Sequence, residues 1–65
     1  MAATDYPILR YFTYDHLNDE LAAVSQPFYK LANQIAESLP PGPEVSTALR
    51  KLLESKDAAV RAALE

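Results

Sequence analysis

Hydrophobic residues recur every three or four positions in the C-terminal third of the chain, which is the spacing of an amphipathic helix. The same stretch is rich in Ala, Leu, Lys, Arg and Glu, all of which favour helices. Gly42, Pro43 and Glu44 mark its start, because Pro is tolerated at the first helical position and an acid suits the positive helix end. The pattern therefore predicts a helix over residues 43–64. Its apolar stripe consists of Val45, Ala48, Leu49, Leu52, Leu53, Ala59, Val60, Ala63 and Leu64.

A second apolar series predicts a helix over residues 18–39. Asn18 is the expected N-cap, and Asp19 and Glu20 fall in the first turn, where acidic residues stabilise a helix. The register continues through Pro27, which leaves two interpretations: one kinked helix, or two helices joined near Ser25. The apolar positions are Leu17, Leu21, Val24, Phe28, Leu31, Ile35 and Leu39.

The sequence PPGP at 40–43 separates the two helices and allows only a short connection. Short connections make neighbouring helices antiparallel, so we predict one all-α domain, a helical hairpin over 1–65. Residues 6–14 are rich in aromatic and β-branched side chains but have no second strand to pair with. We predict that residues 1–14 form an extended N-terminal arm, or a short irregular segment, that packs on a helix of the same or a neighbouring subunit.

Size and charge limit the possible functions. A chain of 65 residues without cysteine buries little core by itself, so we predict a symmetric homo-oligomer. The net charge of -3 argues against binding to DNA or RNA polymers, which requires a basic surface. No apolar run approaches the roughly 20 residues of a membrane span, and no signal peptide is visible. We expect a cytoplasmic protein with no membrane partner.

Catalytic and metal-binding motifs are absent from the sequence. There is no cysteine nucleophile, no phosphate-binding glycine loop and no metal-binding cluster, so we expect neither an enzyme nor a cofactor or metal. His16 beside Asp15 could form a catalytic dyad, but such a pair is more often a solvated turn or a cap.

Lys56 stands out among the basic residues, because it occupies a position in the apolar series where a hydrophobic residue was due. Two interpretations remain open: a lysine whose stem is buried while its head reaches water, or a cation facing a cavity in an oligomer. Two further pairs, Arg50–Glu54 and Asp57–Arg61, have the spacing of surface ion pairs on a helix.

Two other cations lie beside aromatic residues. Arg10 precedes Tyr11 and Phe12, and Lys30 follows Tyr29. Aromatic faces and cations together can stack on bases and hold phosphates. In an acidic protein this combination favours a small nucleotide over a polymer.

The segments RYFTYDHLNDELAAVSQPFYKLA and LRKLLESKDAAVRAAL resemble small phage proteins that sequester the cyclic oligonucleotides of the bacterial CBASS defence system. They are also similar to the helical hairpin of Thoeris anti-defence sponges. The resemblance covers residue 10 to the C-terminus. It implies a helical-hairpin protomer, a hexamer, cyclic dinucleotides held between protomers, and cyclic trinucleotides at separate sites near the threefold axis.

The resemblance also implies roles for individual residues. Tyr11 would stack on a base, and the basic residue of the VSxPF motif would contact a phosphate. Gln26 occupies that motif position here, and Gln offers a hydrogen bond without charge. Lys30 could substitute from one turn further on, and Arg61, helped by Lys56, matches the trinucleotide site. The predicted ligand-binding set is Tyr11, Phe12, Gln26, Lys30, Lys56 and Arg61.

These expectations combine into one predicted function. The protein would bind and sequester cyclic di- or trinucleotides in the cytoplasm of an infected bacterium without cleaving them. The alternative is a small helical module that docks on a host or phage protein. A phosphate-binding protein would depend on Arg61 and Lys56, whereas a protein-docking hairpin could replace them with other polar residues.

Overall fold

A computed structural model describes residues 6–65 of the chain. A 3₁₀ helix spans Pro7–Phe12, α1 spans Asp19–Ser38 and α2 spans Pro43–Leu64. Residues 6–65 contain no β-strand. The two long helices pack against each other as a hairpin, and the 3₁₀ helix contacts both of them. The predicted all-α class and helical hairpin are therefore confirmed.

Local signals explain where α1 begins and why it continues through proline. The Asn18 side-chain oxygen accepts a hydrogen bond from the Leu21 backbone N–H at 2.9 Å, so the predicted N-cap is confirmed. A single helix passes through Pro27, which decides between the two interpretations of this stretch. Pro27 cannot bond to the Ala23 carbonyl one turn earlier. Because both residues are exposed, water can satisfy that carbonyl.

The core is small and draws on all three helices. Phe12 from the 3₁₀ helix, Ala32 from α1, and Val45 and Leu49 from α2 form one buried cluster. Phe12 and Leu49 are its largest fully buried side chains. Partly buried hydrophobic residues surround this cluster: Tyr6, Ile8, Leu9, Phe28, Ile35, Leu52 and Leu53.

The most buried face of α1 is not the face that the large hydrophobic residues predict. Ser25, Ala32 and Ala36 are its buried residues, whereas Leu31 and Leu39 are exposed. Small side chains at the contact let two helices approach closely, and they turn the predicted leucine stripe partly outward. Leu39 is also the C-terminal cap, beyond the last helical residue. The hairpin therefore leaves apolar surface uncovered on one flank of α1.

The segment predicted to be an extended arm, or a short irregular segment packed on a helix, forms a 3₁₀ helix over Pro7–Phe12. Proline at the first helical position has its φ preset for a helix and has no N–H to leave unbonded. Phe12 then reaches the core, which fixes the segment against the hairpin of its own chain. Residues 1–5 of the predicted arm lie outside the described residues.

Two leucines of α2 test this core assignment. Leu49 is fully buried, whereas Leu64 is 68% exposed at the end of the helix. Leu49→Ala should lower the free energy of unfolding by about 2–5 kcal/mol through lost transfer energy and an unfilled cavity. Leu64→Ala, the matched control, should stay within about 0.5 kcal/mol of the unchanged protein. Urea denaturation followed by circular dichroism at one protein concentration measures both, and equal effects would contradict the assignment.

Candidate functional site

Tyr11 and Arg10 form an exposed aromatic and cationic surface on the 3₁₀ helix. The Tyr11 side chain is 55% exposed, although its neighbour Phe12 is fully buried. The Arg10 guanidinium carbon lies 5.3 Å from the centroid of the Tyr11 ring, within the range of a cation–π contact. The segment thus directs one aromatic ring into the core and holds another at the surface beside a positive charge.

Lys56 connects α2 to this surface. Its ammonium donates a hydrogen bond to the Tyr11 backbone carbonyl at 2.8 Å and lies 3.3 Å from a carboxylate oxygen of Asp57. Only 12% of its side chain is exposed. The ammonium is therefore engaged with the backbone of the residue that carries the exposed ring. This contact explains why a lysine occupies the apolar series.

The remaining predicted site residues take no part in this contact. Phe12 belongs to the core and presents no surface. Gln26 is half-buried and Lys30 is exposed, and their spacing of four residues places them on one side of α1. Arg61 is exposed in the last turn of α2. It lies about 140° around the helix from Lys56, so these two cations face different directions.

A cleft beside the 3₁₀ helix was not predicted from the sequence. Thr13, Tyr14, Asp15 and Tyr29 line this open depression of about 280 Å³. The rings of Tyr14 and Tyr29 meet edge to face, with centroids 5.4 Å apart and planes at 75°. Their pairing depends on how α1 packs against the preceding segment, and no local sequence signal indicates it.

Of the polar side chains at the cleft, Thr13 forms a hydrogen bond with another residue in 6–65 and Asp15 does not. The Thr13 hydroxyl donates to the Arg10 carbonyl at 3.1 Å, which closes the end of the 3₁₀ helix and joins the cleft to the Tyr11 surface. The Asp15 carboxylate is exposed in a turn and has no hydrogen bond or ion pair with any other residue in 6–65. Asp15 is therefore not the capping residue here; Asn18 has that role.

Surface ion pairs differ from the predicted ones. Lys51 pairs with Glu54, and Lys56 pairs with Asp57. Among the described side chains, Arg50–Glu54 and Asp57–Arg61 do not form pairs. Arg61 is thus available to solvent in this structure, while Lys56 is not.

Residues 6–65 hold no cluster of three or more His, Asp or Glu side chains with the arrangement of a metal site. Within the same range, neither long helix has the length and apolar character needed to cross a membrane. Comparison of the chain with models of known protein families, with curated proteins and with solved structures found no match.

The contact of Lys56 with Tyr11 generates a stability prediction. Lys56→Met keeps an aliphatic stem but removes the ammonium, so the Tyr11 carbonyl loses a charged donor. We expect the free energy of unfolding to fall by about 1.5–3 kcal/mol. Amide hydrogen exchange should accelerate in Pro7–Phe12 more than in α2.

The matched control is Lys51→Met, because Lys51 carries the same charge on α2 but its side chain is 70% exposed. Its ion pair with Glu54 should contribute less than about 1 kcal/mol. If both variants lose equal stability and leave exchange in the 3₁₀ helix unchanged, the Lys56 contact does not hold that helix in place.

Proposed function

We propose that this protein binds and sequesters cyclic di- or trinucleotide second messengers of CBASS-like defence, as a phage immune-evasion protein. It releases them chemically unchanged and acts in the cytoplasm of an infected bacterium. Two lines of support combine: the resemblance of residues 10–65 to phage sponge proteins, and the exposed surface that Tyr11 and Arg10 form. The second is the observation that carries the proposal.

The Tyr11 surface has the parts that a nucleotide needs. An exposed aromatic ring can stack on any base, which contributes about 1–3 kcal/mol for each base. A guanidinium beside the ring can hold a phosphate through two parallel hydrogen bonds. The Arg10 guanidinium lies over one face of the Tyr11 ring, 5.3 Å from its centroid, so in this proposal the base stacks on the opposite face and its phosphate reaches the guanidinium past the ring edge.

Two predicted ligand contacts take a supporting role in this proposal. Phe12 anchors the 3₁₀ helix through its burial in the core. Lys56 fixes the Tyr11 backbone through its hydrogen bond of 2.8 Å. We assign both as positioning residues, because they hold the ring in place before a ligand arrives. A ring that is already ordered loses less conformational entropy on binding.

The other predicted residues keep their proposed contacts. Lys30 is exposed one turn beyond Gln26 on α1, so it can supply a positive charge that Gln26 lacks. Arg61 stands exposed in the last turn of α2 and is the proposed phosphate contact for a cyclic trinucleotide. We assign it to a separate site, because it lies about 140° around α2 from Lys56, which contacts the Tyr11 backbone.

We also propose self-association, with a hexamer favoured by the resemblance. Leu31 is 43% exposed on α1, and Leu39 is exposed at its end. Covering such leucines removes apolar surface from water, at about 25 cal/mol for each Å². A second copy of the chain can provide that cover.

Light scattering at micromolar concentration should therefore report several subunits, with six favoured. Leu31→Lys should lower the mass, because a charge at a buried contact is costly. Asn33→Lys is the matched control, since it adds the same charge to α1 at a polar position about 160° around the helix from Leu31. A folded monomer, or an equal loss of mass in both variants, would contradict this interface.

Retention of intact ligand tests the proposed function. The protein is incubated with excess cyclic dinucleotides or trinucleotides, separated from free ligand and then denatured. Chromatography should recover the cyclic molecule unchanged and in a fixed ratio to subunits. Tyr11→Ala should weaken dinucleotide binding by about 1–3 kcal/mol for each stacked base, while Tyr11→Phe, which keeps the ring, should bind nearly as well.

A different result would contradict each of these expectations. Linear products that accumulate beyond the subunit ratio would make the protein an enzyme. No retained ligand from the whole panel would contradict sequestration and favour the protein-docking alternative. Equal binding by Tyr11→Ala and the unchanged protein would remove Tyr11 from the site, provided that circular dichroism reports the same helix content for both.

A further inference from the structure

We propose that the cleft lined by Thr13, Tyr14, Asp15 and Tyr29 recognises a guanine base, with Asp15 as the residue that determines specificity. This inference rests on the proposed function, since it names the kind of cyclic nucleotide that the protein prefers. It assigns a role to three side chains, Tyr14, Asp15 and Tyr29, that the Tyr11 surface does not use.

The shape of the cleft suits a planar ring. Tyr14 and Tyr29 stand at 75° to each other, so they form two walls of a corner, and the cleft between its lining residues measures about 280 Å³. A base can lie against the face of one ring with its edge directed towards the other. Stacking of this kind tolerates every base, because every base has a π-face. The aromatic walls therefore provide affinity without selectivity.

Selectivity comes from the Asp15 carboxylate. An ionised carboxylate only accepts hydrogen bonds, and it offers two oxygens side by side. The Watson–Crick edge of guanine presents two adjacent donors, the ring N1–H and the exocyclic amino group, which match those oxygens. Adenine presents one donor beside an acceptor on the same edge, so a carboxylate gains one bond and meets one repulsive contact. Within residues 6–65 no partner occupies the Asp15 carboxylate, which leaves both oxygens available.

The charges around the cleft favour a nucleotide over an organic cation, the other ligand that aromatic rings and a carboxylate can bind. Lys30 directly follows Tyr29 in α1, and the Thr13 hydroxyl at the cleft donates a hydrogen bond of 3.1 Å to the backbone carbonyl of Arg10. These two exposed cations would repel a cationic ligand. In the proposed complex these cations hold the phosphates of a ligand whose base enters the cleft.

Calorimetric titration with cyclic di-GMP and cyclic di-AMP tests this inference, because the two ligands differ only in their bases. The unchanged protein should bind cyclic di-GMP on the order of tenfold more tightly, as expected for one bidentate contact. Asp15→Asn should reduce cyclic di-GMP affinity on the order of tenfold and leave cyclic di-AMP affinity the same or higher, since Asn can both donate and accept. Asp15→Glu, which keeps the carboxylate, should retain the preference for cyclic di-GMP.

Glu37→Gln provides the matched control. It removes the same charge from an exposed acid of α1 that lies about 12 Å along the helix from Tyr29 and outside the cleft. It should leave both affinities unchanged. Thermal unfolding of every variant, followed by circular dichroism, separates a specific effect from a folding defect.

The outcomes distinguish this inference from the function on which it rests. Equal binding of both ligands by the unchanged protein would overturn the guanine assignment and leave sequestration intact. So would an equal loss of both ligands in Asp15→Asn, or the same change in Glu37→Gln. If the unchanged protein bound neither ligand nor any other cyclic nucleotide, the proposed function itself would fail, and the guanine assignment with it.

Discussion

The burial of Phe12 against both long helices is the interaction on which the rest of the structure depends. The buried residues of α1 are small, Ser25, Ala32 and Ala36, and its large apolar residues at the core are only partly buried. Phe12 supplies the missing volume, and the cluster that it completes includes Val45 and Leu49 from α2. The N-terminal segment is therefore a third wall of the core, and a small chain without disulfides needs such an addition.

Fixing Phe12 has a consequence for its neighbours. Consecutive side chains in a 3₁₀ helix point about 120° apart, so the burial of one side chain directs the side chains before and after it away from the core. Tyr11 is held at the surface for this reason, and Lys56 then secures its backbone from α2. The lysine interrupts the apolar stripe of α2, so less apolar surface is buried there to stabilise the fold. Departures from a hydrophobic pattern are expected where a structure positions a functional group, which is the role we propose for Tyr11.

The sequence predicted those features whose causes are local. The N-cap at Asn18, the start of α2 at Pro43 and the short connection depend on neighbouring residues, and all three can be recognised from spacing. The buried face of α1 could not be predicted in this way, because Ser25 and the two alanines carry little weight in a hydrophobic pattern. The Lys56–Tyr11 contact joins residues 45 positions apart, and the Tyr14–Tyr29 pair likewise forms only after the chain has folded back. A site that depends on tertiary contacts is therefore harder to predict than the helices that carry it.

A protein that acts by sequestration has no turnover, so its effect depends on affinity and on the number of copies. In the proposed function, the way the 3₁₀ helix is anchored serves affinity. Phe12 anchors it through apolar burial, Lys56 through a hydrogen bond to the Tyr11 carbonyl, and Thr13 through a hydrogen bond to the Arg10 carbonyl. Each anchor fixes the backbone next to an exposed ring or cation. The conformational entropy of this backbone is therefore lost when the protein folds. Less remains to be lost when a ligand binds, and the stacking and phosphate contacts can then appear more fully as binding free energy.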